Sequence, residues 1–368
     1  MKKGIDQRTV GTAVHEPESG REQTYSKTSR CRIVVAGVPR SYQAPFADGR
    51  WLAERHVAAI ESVSKAIDLV HISRAALESG EVPEPGADVL LVETCGRKRY
   101  KDEIPMPAFA ALVTQRLRWL QSCSSGVGHI LDMDLVPADV TITNAAGVHA
   151  ASLAESTMAA ILFQAKQLAR RIENQHARRW EELRCFELRD KTVCIIGTGQ
   201  IGTAIARRAR PFGLETLGVR RNAGGADGFD RVFDRHHLLE ALATADFVVV
   251  ACPLTSETEG MIGSRELSAM KHGAYLINIA RGRILQDQAM LAALDSGQLG
   301  GAFLDALDPE PLPVSHPYWG APNVTVTPHD SHSSEYIGDN IVELFCNNLR
   351  RWLGGEPLSN RINRSRGY

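Results

Sequence analysis

The segment "KTVCIIGTGQIGTAIARRARPFG", Lys191 to Gly213, constrains this chain more than any other. A β-branched apolar run meets Gly197, Gly199 and Gly202 in the spacing GxGxxG, and an amphipathic pattern follows at once. The first glycine permits a tight turn, the second lets a pyrophosphate approach the backbone, and the third lets helix pack on strand, with phosphates at the helix N-terminus. A bare GxGxxG also fits a ligand-free βα turn. Its place between a strand and a helix favours a dinucleotide.

Short apolar runs alternate with amphipathic segments on both sides of the motif. Upstream stand "CRIVVAG", "WLAERHVAAIESVSKA", "DLVHIS", "ADVLLVET", "LRWLQSCSS" and "VTITNAAG"; downstream stand "ADFVVVAC", "AYLINIA", "GGAFLDAL" and "NVTVTP". This alternation predicts an α/β protein with parallel sheets. A length of 368 residues gives room for two or three domains at roughly 100 to 200 residues each. We read 31–147 as one domain and 148–328 as the dinucleotide-binding one, with 1–30 as a polar, aperiodic, disordered tail. "HAASLAESTMAAILFQAKQLARRIENQHARRWEE" predicts a long connecting helix, and "SSEYIGDNIVELFCNNLRRWLGG" a C-terminal helix ended by Gly354 and Gly355.

Charge excludes some partners. Forty-two basic residues against forty-three acidic ones leave a net charge of -1, so no global field draws nucleic acid or an anionic membrane. Arg170, Arg171, Arg178 and Arg179 interleave with Glu173, Glu181 and Glu182 as a solvated helix face does. The basic loop "GRKRYK", Gly96 to Lys101, reads as solvated, the alternative being a greeting for an anionic substrate. The N-terminus lacks an apolar signal core, and no run reaches the roughly 18 apolar residues of a membrane span. Seven scattered cysteines without a CxxC suggest neither a disulfide framework nor a zinc site. A cytoplasmic location is expected.

Cofactor choice rests on the next strand, "LETLGVRRNAGG". An acid about 20 residues past the glycine motif would bind the adenosine ribose 2′-hydroxyl. Arg220 stands there, followed by Arg221. Two cations suit a 2′-phosphate through charge-assisted, bidentate bonds, so NADP(H) is expected over NAD(H), which stays open as the alternative.

Three later strands end in polar groups: Arg281 in "LINIARGRILQ", Asp305, Asp308 and Glu310 in "AFLDALDPEPLP", and His329 in "NVTVTPHDSHSS". Ligands gather outside the carboxyl ends of such strands. Reducing a ketone by hydride needs a proton donor near neutral pH, which is histidine's range, and a carboxylate beside an imidazole raises its pKa and fixes its orientation. An arginine would bind a substrate carboxylate and polarise the carbonyl. Singly, each residue is more ordinary: a strand-end histidine is commonly structural, and a strand-end acid commonly a helix cap. His329 and His332 with Asp330, and His236 with His237, offer no complete ligand set of recognisable spacing, so no metal is expected.

These segments together resemble the D-isomer-specific 2-hydroxyacid dehydrogenase family, which includes glyoxylate and hydroxypyruvate reductases. The matching stretches are "GVGHILDMDLV", "VTITNAAGVHAASLAE", "VCIIGTGQIG", "CPLTSETEGMIG", "LINIARGRILQDQAMLAALDSGQLGGAFLDAL", "DPEPLP" and "VTPH", from about Arg118 to Thr327. The resemblance implies two doubly wound parallel-sheet domains, a discontinuous flavodoxin-like substrate domain rejoined by 329–368 and a Rossmann cofactor domain, in a homodimer. It implies Arg281 as the catalytic arginine, Glu310 as the paired acid and His329 as the acid/base. It implies cofactor contacts from Gly197, Gly199, Gln200, Ile201, Gly202, Arg220, Arg221, Cys252, Pro253, Thr258, Ala280 and Asp305. A substrate loop in "SSGVG" would offer Ser125, Gly126, Val127 and Gly128 beside Arg281.

Two departures stand out. Many relatives carry Asp where this chain has Gly128, and "DSHSS" follows His329 where small apolar residues are common. The resemblance implies a small 2-oxoacid or 2-hydroxyacid as substrate. Dinucleotide-sensing corepressors share the fold and the three site residues, and formate and phosphite dehydrogenases share the scaffold; a 2-oxoacid panel separates them.

Overall fold

We describe residues 30–36, 52–72, 76, 79, 86–92, 106–222 and 224–365 of a computed structural model of the protein. The expected N-terminal tail, but for residue 30, and the basic loop Gly96 to Lys101 lie outside them.

The first sheet holds β1 (Cys31–Ala36), β2 (Ile67–Ile72), β3 (Val89–Val92), β4 (Trp119–Ser122) and β5 (Thr141–Thr143). Its order is β2-β1-β3-β4-β5, with every pairing parallel. The second sheet holds β6 (Thr192–Ile196), β7 (Glu215–Arg220), β8 (Arg231–Asp234), β9 (Phe247–Val250), β10 (Ala274–Asn278), β11 (Leu299–Leu304) and β12 (Val324–Val326). It runs β12-β11-β10-β9-β6-β7-β8, again parallel. The first order is flavodoxin-like, and the second reverses direction between β6 and β9, the switch point where ligands bind in open α/β sheets.

Why these runs become strands buried on both faces is visible in β1 and β6. Cys31, Ile33 and Val35 face one core while Val34 and Ala36 face another. Val193 and Ile195 likewise oppose Cys194 and Ile196. A period-two strand with no polar face needs helices on both sides.

The predicted long connecting helix is two helices, Ala150–Ala165 and Leu168–His176. Gln167 breaks it in the left-handed region (φ 49). Carbonyls freed at the break find new donors: Phe186 N reaches Ala165 O at 3.2 Å and Arg171 Nε reaches Lys166 O at 3.0 Å. Satisfied carbonyls make the interruption cheap.

The C-terminal helix Ile337–Leu353 lies on the first sheet. Trp119 stacks on Phe345 with ring centroids 5.2 Å apart. Beneath that stack a buried chain runs from Trp119 Nε1 to Thr143 Oγ1 (2.8 Å), from Thr143 Oγ1 to Gln121 Oε1 (2.7 Å), and from Asn348 Nδ2 to the same Gln121 oxygen (3.3 Å). Each buried polar group thus has a partner, so the network carries no desolvation penalty that would repel the helix. At the outer edge Asp339 accepts from Arg55 Nε at 2.8 Å and faces His56 Nε2 at 2.7 Å, tying the helix to Glu54–Glu61.

Candidate active site

The glycine turn has the shape its spacing predicts. Gly197 is left-handed (φ 111), and a Cβ there would stand 2.8 Å from the Ala251 carbonyl carbon. A Cβ on Gly202 would collide with Gly197 O, while one on Gly199 would meet nothing within 4 Å. Gly199 therefore leaves open space at the N-terminus of the helix Gln200–Ala209, whose amides face no earlier turn. Gln200 is exposed and Ile201 half-buried at that end.

The loop after β9 closes upon itself. Thr258 Oγ1 donates to Pro253 O at 2.7 Å and accepts from Thr255 N at 2.8 Å, so the hydroxyl expected to touch cofactor already shapes its own loop. Burial pushes the Cys252 thiol up to about 11, which leaves it a neutral wall.

Asn278, fully buried at the end of β10, was not singled out from the sequence. Its Nδ2 donates to Arg281 O and Ala306 O, both at 3.1 Å, and its Oδ1 accepts from Ala280 N at 3.1 Å. One amide thereby sets two adjacent strand-end loops. Its trace in the sequence is a polar residue inside the apolar run "LINIA". Arg281 Nη1 donates to Ala280 O at 2.6 Å.

The expected substrate loop meets this arginine. A Cβ on Gly126 would press on Arg281 Nη2, so glycine lets the guanidinium lie against this loop where it stands. Its neighbours do other work: Val127 is buried in the first core, Ser125 Oγ donates to Ala145 O at 3.1 Å, and Asn144 Nδ2 donates to Ser125 O at 2.6 Å. At Gly128 a Cβ would meet nothing within 4 Å, so steric room does not require glycine there.

Asp305 ends β11, is 1% exposed, and divides its two oxygens. Oδ1 accepts from Thr327 Oγ1 at 2.7 Å, Asp330 N at 3.0 Å and Ser331 N at 3.1 Å. Oδ2 is buried without a hydrogen-bond partner among the described residues. The bonded oxygen clamps both sides of His329, whose backbone is left-handed (φ 58). Such a conformation costs about 1 kcal/mol or more for a residue with a Cβ and persists where neighbours hold it. His329 Nδ1 in turn lies 3.1 Å from Glu310 Oε1 and 3.0 Å from Oε2, and Oε1 accepts from Leu307 N at 2.8 Å.

Beyond His329 two more imidazoles follow. The His332 ring stands edge-on to His329 at 6.3 Å between centroids and to His149 at 5.2 Å. Ser152 Oγ fixes that turn by donating to His332 O at 2.8 Å. His237 belongs to a different structure: its Nδ1 lies 2.9 Å from Asp234 Oδ1, which also accepts from His236 N at the same distance.

The residues present fit a dinucleotide: an open glycine face at a helix terminus and an orphaned buried oxygen on Asp305 stand on the switch-point side of the sheet. Fold and site together define a dinucleotide-dependent oxidoreductase. The sequence profile described as "D-isomer specific 2-hydroxyacid dehydrogenase, NAD binding domain" matches residues 158–331. The human glyoxylate reductase/hydroxypyruvate reductase is 31% identical over 252 residues, 67% of this chain and 77% of that protein. A family protein from Aeromonas salmonicida superposes with a TM-score of 0.76 at 28% identity, covering 91% of this chain and all of its own (100%). A D-isomer specific 2-hydroxyacid dehydrogenase from Xanthobacter autotrophicus Py2, solved with NADPH and MES, gives 0.75 at 26% identity over 92% of this chain and 100% of its own. The chain belongs to the D-isomer-specific 2-hydroxyacid dehydrogenase family. It is an NAD(P)-dependent enzyme.

Proposed function

We propose that the protein is an NADP(H)-preferring reductase of small 2-oxoacids, working in the reverse sense as a D-2-hydroxyacid dehydrogenase. The observation that carries this reading is the His329–Glu310 pair, with Arg281, Glu310 and His329 following three adjacent strands of one sheet, Gly126 against the arginine, and the glycine turn at the end of another strand of that sheet.

Each residue has a distinct task. Arg281 binds the substrate carboxylate and polarises the neighbouring carbonyl, with amides of the Ser125 to Gly128 loop beside it. His329 delivers a proton from Nε2 to the carbonyl oxygen, while Glu310 accepts from Nδ1 and holds the ring's orientation. A reduced nicotinamide, when bound, would supply hydride for the carbonyl carbon. Gly197, Gly199, Gln200, Ile201 and Gly202 would hold the pyrophosphate, Cys252, Pro253, Thr258 and Ala280 the ribose and nicotinamide wall, and Asp305 Oδ2 a carboxamide donor. Arg220 and Arg221 would hold a 2′-phosphate; Arg220 Nη1 here donates to Gly225 O at 3.2 Å, a weak contact that an anion replaces easily.

We assign substrate binding to 31–147 with 329–368 and dinucleotide binding to 148–328. A homodimer accompanies this reading, supported by Leu168, Ile172, Trp180 and Phe186, apolar side chains exposed on one stretch after the first long helix. Among the described residues no helix is long and apolar enough to cross a membrane, and we place the enzyme in the cytoplasm. The reading is tested by His329→Gln: turnover falls by about three orders of magnitude at unchanged NADPH affinity, whereas near-normal kcat over about pH 6 to 9 would remove histidine from the proton step.

A further inference from the structure

The arginines that end β7 do not stand alone. In the parallel pairing of β7 with β8, Arg220 lies opposite Asp234. The next residues on the two strands, Arg221 and Arg235, therefore leave the sheet side by side, and both reach one carboxylate. Arg221 Nη2 lies 2.8 Å from Glu257 Oε2, and Arg235 Nη1 lies 2.9 Å from Glu257 Oε1. Glu257 comes from the loop after β9, and the sheet order β9-β6-β7-β8 puts β6 and its glycine turn between the two ends of this bridge.

A carboxylate held in two guanidinium forks uses the same donors that a phosphate monoester uses. Arg221, Arg235 and Glu257 keep 37%, 48% and 44% of their side-chain surface exposed, so the pairs are reachable from solution. Exposed pairs of this kind are weak and exchange readily.

Resting on the NADP(H) reading above, we propose that Arg235 is a third arginine of the 2′-phosphate subsite and that Glu257 occupies this subsite as an internal competitor. NADPH must displace the carboxylate, and its apparent affinity is reduced by the fraction of protein in which Glu257 is docked. NADH has no group that contests those guanidinium forks. Glu257 thus narrows the preference that three arginines alone would give.

Fluorescence titration of the full-length protein with NADPH and with NADH tests this. Glu257→Gln should lower the NADPH Kd about five-fold and leave the NADH Kd unchanged. Arg235→Ala should raise the NADPH Kd about ten-fold or more and again spare NADH. Weaker or unchanged NADPH binding in Glu257→Gln overturns the competitor role, and an equal loss for both cofactors, or no loss, in Arg235→Ala overturns the third arginine. If the unaltered protein binds NADH as tightly as NADPH, the NADP(H) reading itself fails; if it prefers NADPH while both variants leave the ratio unchanged, only the roles of Arg235 and Glu257 fail.

Discussion

Glu310 faces the His329 ring with both carboxylate oxygens, Oε2 at 3.0 Å and Oε1 at 3.1 Å from Nδ1, while the Leu307 amide holds Oε1 from behind. The carboxylate is thereby fixed before it fixes the imidazole. Glu310→Gln keeps the size but presents an amide that must turn to accept from Nδ1, and it loses the charge. We expect kcat to fall by about 10²-fold with little change in NADPH affinity. Stopped-flow single-turnover rates check this; a slowed product release with unchanged chemistry would contradict it.

Asp305, proposed above as a cofactor contact, also holds the backbone on both sides of His329. Asp305→Ala leaves the Asp330 and Ser331 amides and the Thr327 hydroxyl without their acceptor, a loss of about 2 to 4 kcal/mol in stability. Asp305→Asn retains one acceptor oxygen. Thermal unfolding should place Asn near the unaltered protein and Ala well below it, with kcat following the same order.

Cys252 lines the expected cofactor wall, and burial pushes its thiol up to about 11. At pH 8 roughly one molecule in a thousand carries the thiolate that alkylating reagents attack. Mass spectrometry after iodoacetamide treatment should find Cys252 unmodified at pH 8 and its labelling rate climbing about ten-fold per pH unit above that. Rapid labelling at neutral pH would mean that the loop opens.

The Asp339 carboxyl is held below its ordinary value of 3.8, first by the hydrogen bond from Arg55 and then by that from His56. A depressed carboxyl contributes stability above its unfolded value and loses it as pH falls through the folded one. Asp339→Asn should therefore lower Tm at neutral pH, and the difference should vanish as pH falls below 3.8. A constant difference across that range would assign the loss to packing.

What the sequence revealed, and what it hid, divides by the range of the interaction. Gly197, Gly199 and Gly202 were legible because a tight turn and a close helix approach are local demands on three nearby residues. The twofold burial of β1 and β6 was legible because an unbroken apolar run needs covering on both faces. The break at Gln167 was not, since periodicity continues across it and one freed carbonyl, that of Ala165, finds its donor only at Phe186. Asn278 and Arg235 were missed for a similar reason: the Ala306 carbonyl reaches Asn278, and Arg221 comes beside Arg235, only through the parallel register. Asp305 was found by its strand-end place, but its clamp on both sides of His329 depends on β11 and β12 being neighbours.

The central claim, an NADP(H)-preferring reductase of 2-oxoacids, is tested most directly by kcat/KM for NADPH and NADH against a panel of glyoxylate, hydroxypyruvate, pyruvate and longer 2-oxoacids, with formate and phosphite as oxidisable controls. The predicted result is turnover of at least one 2-oxoacid with NADPH favoured about ten-fold or more over NADH. No turnover of any 2-oxoacid, or a clear preference for NADH, would contradict it.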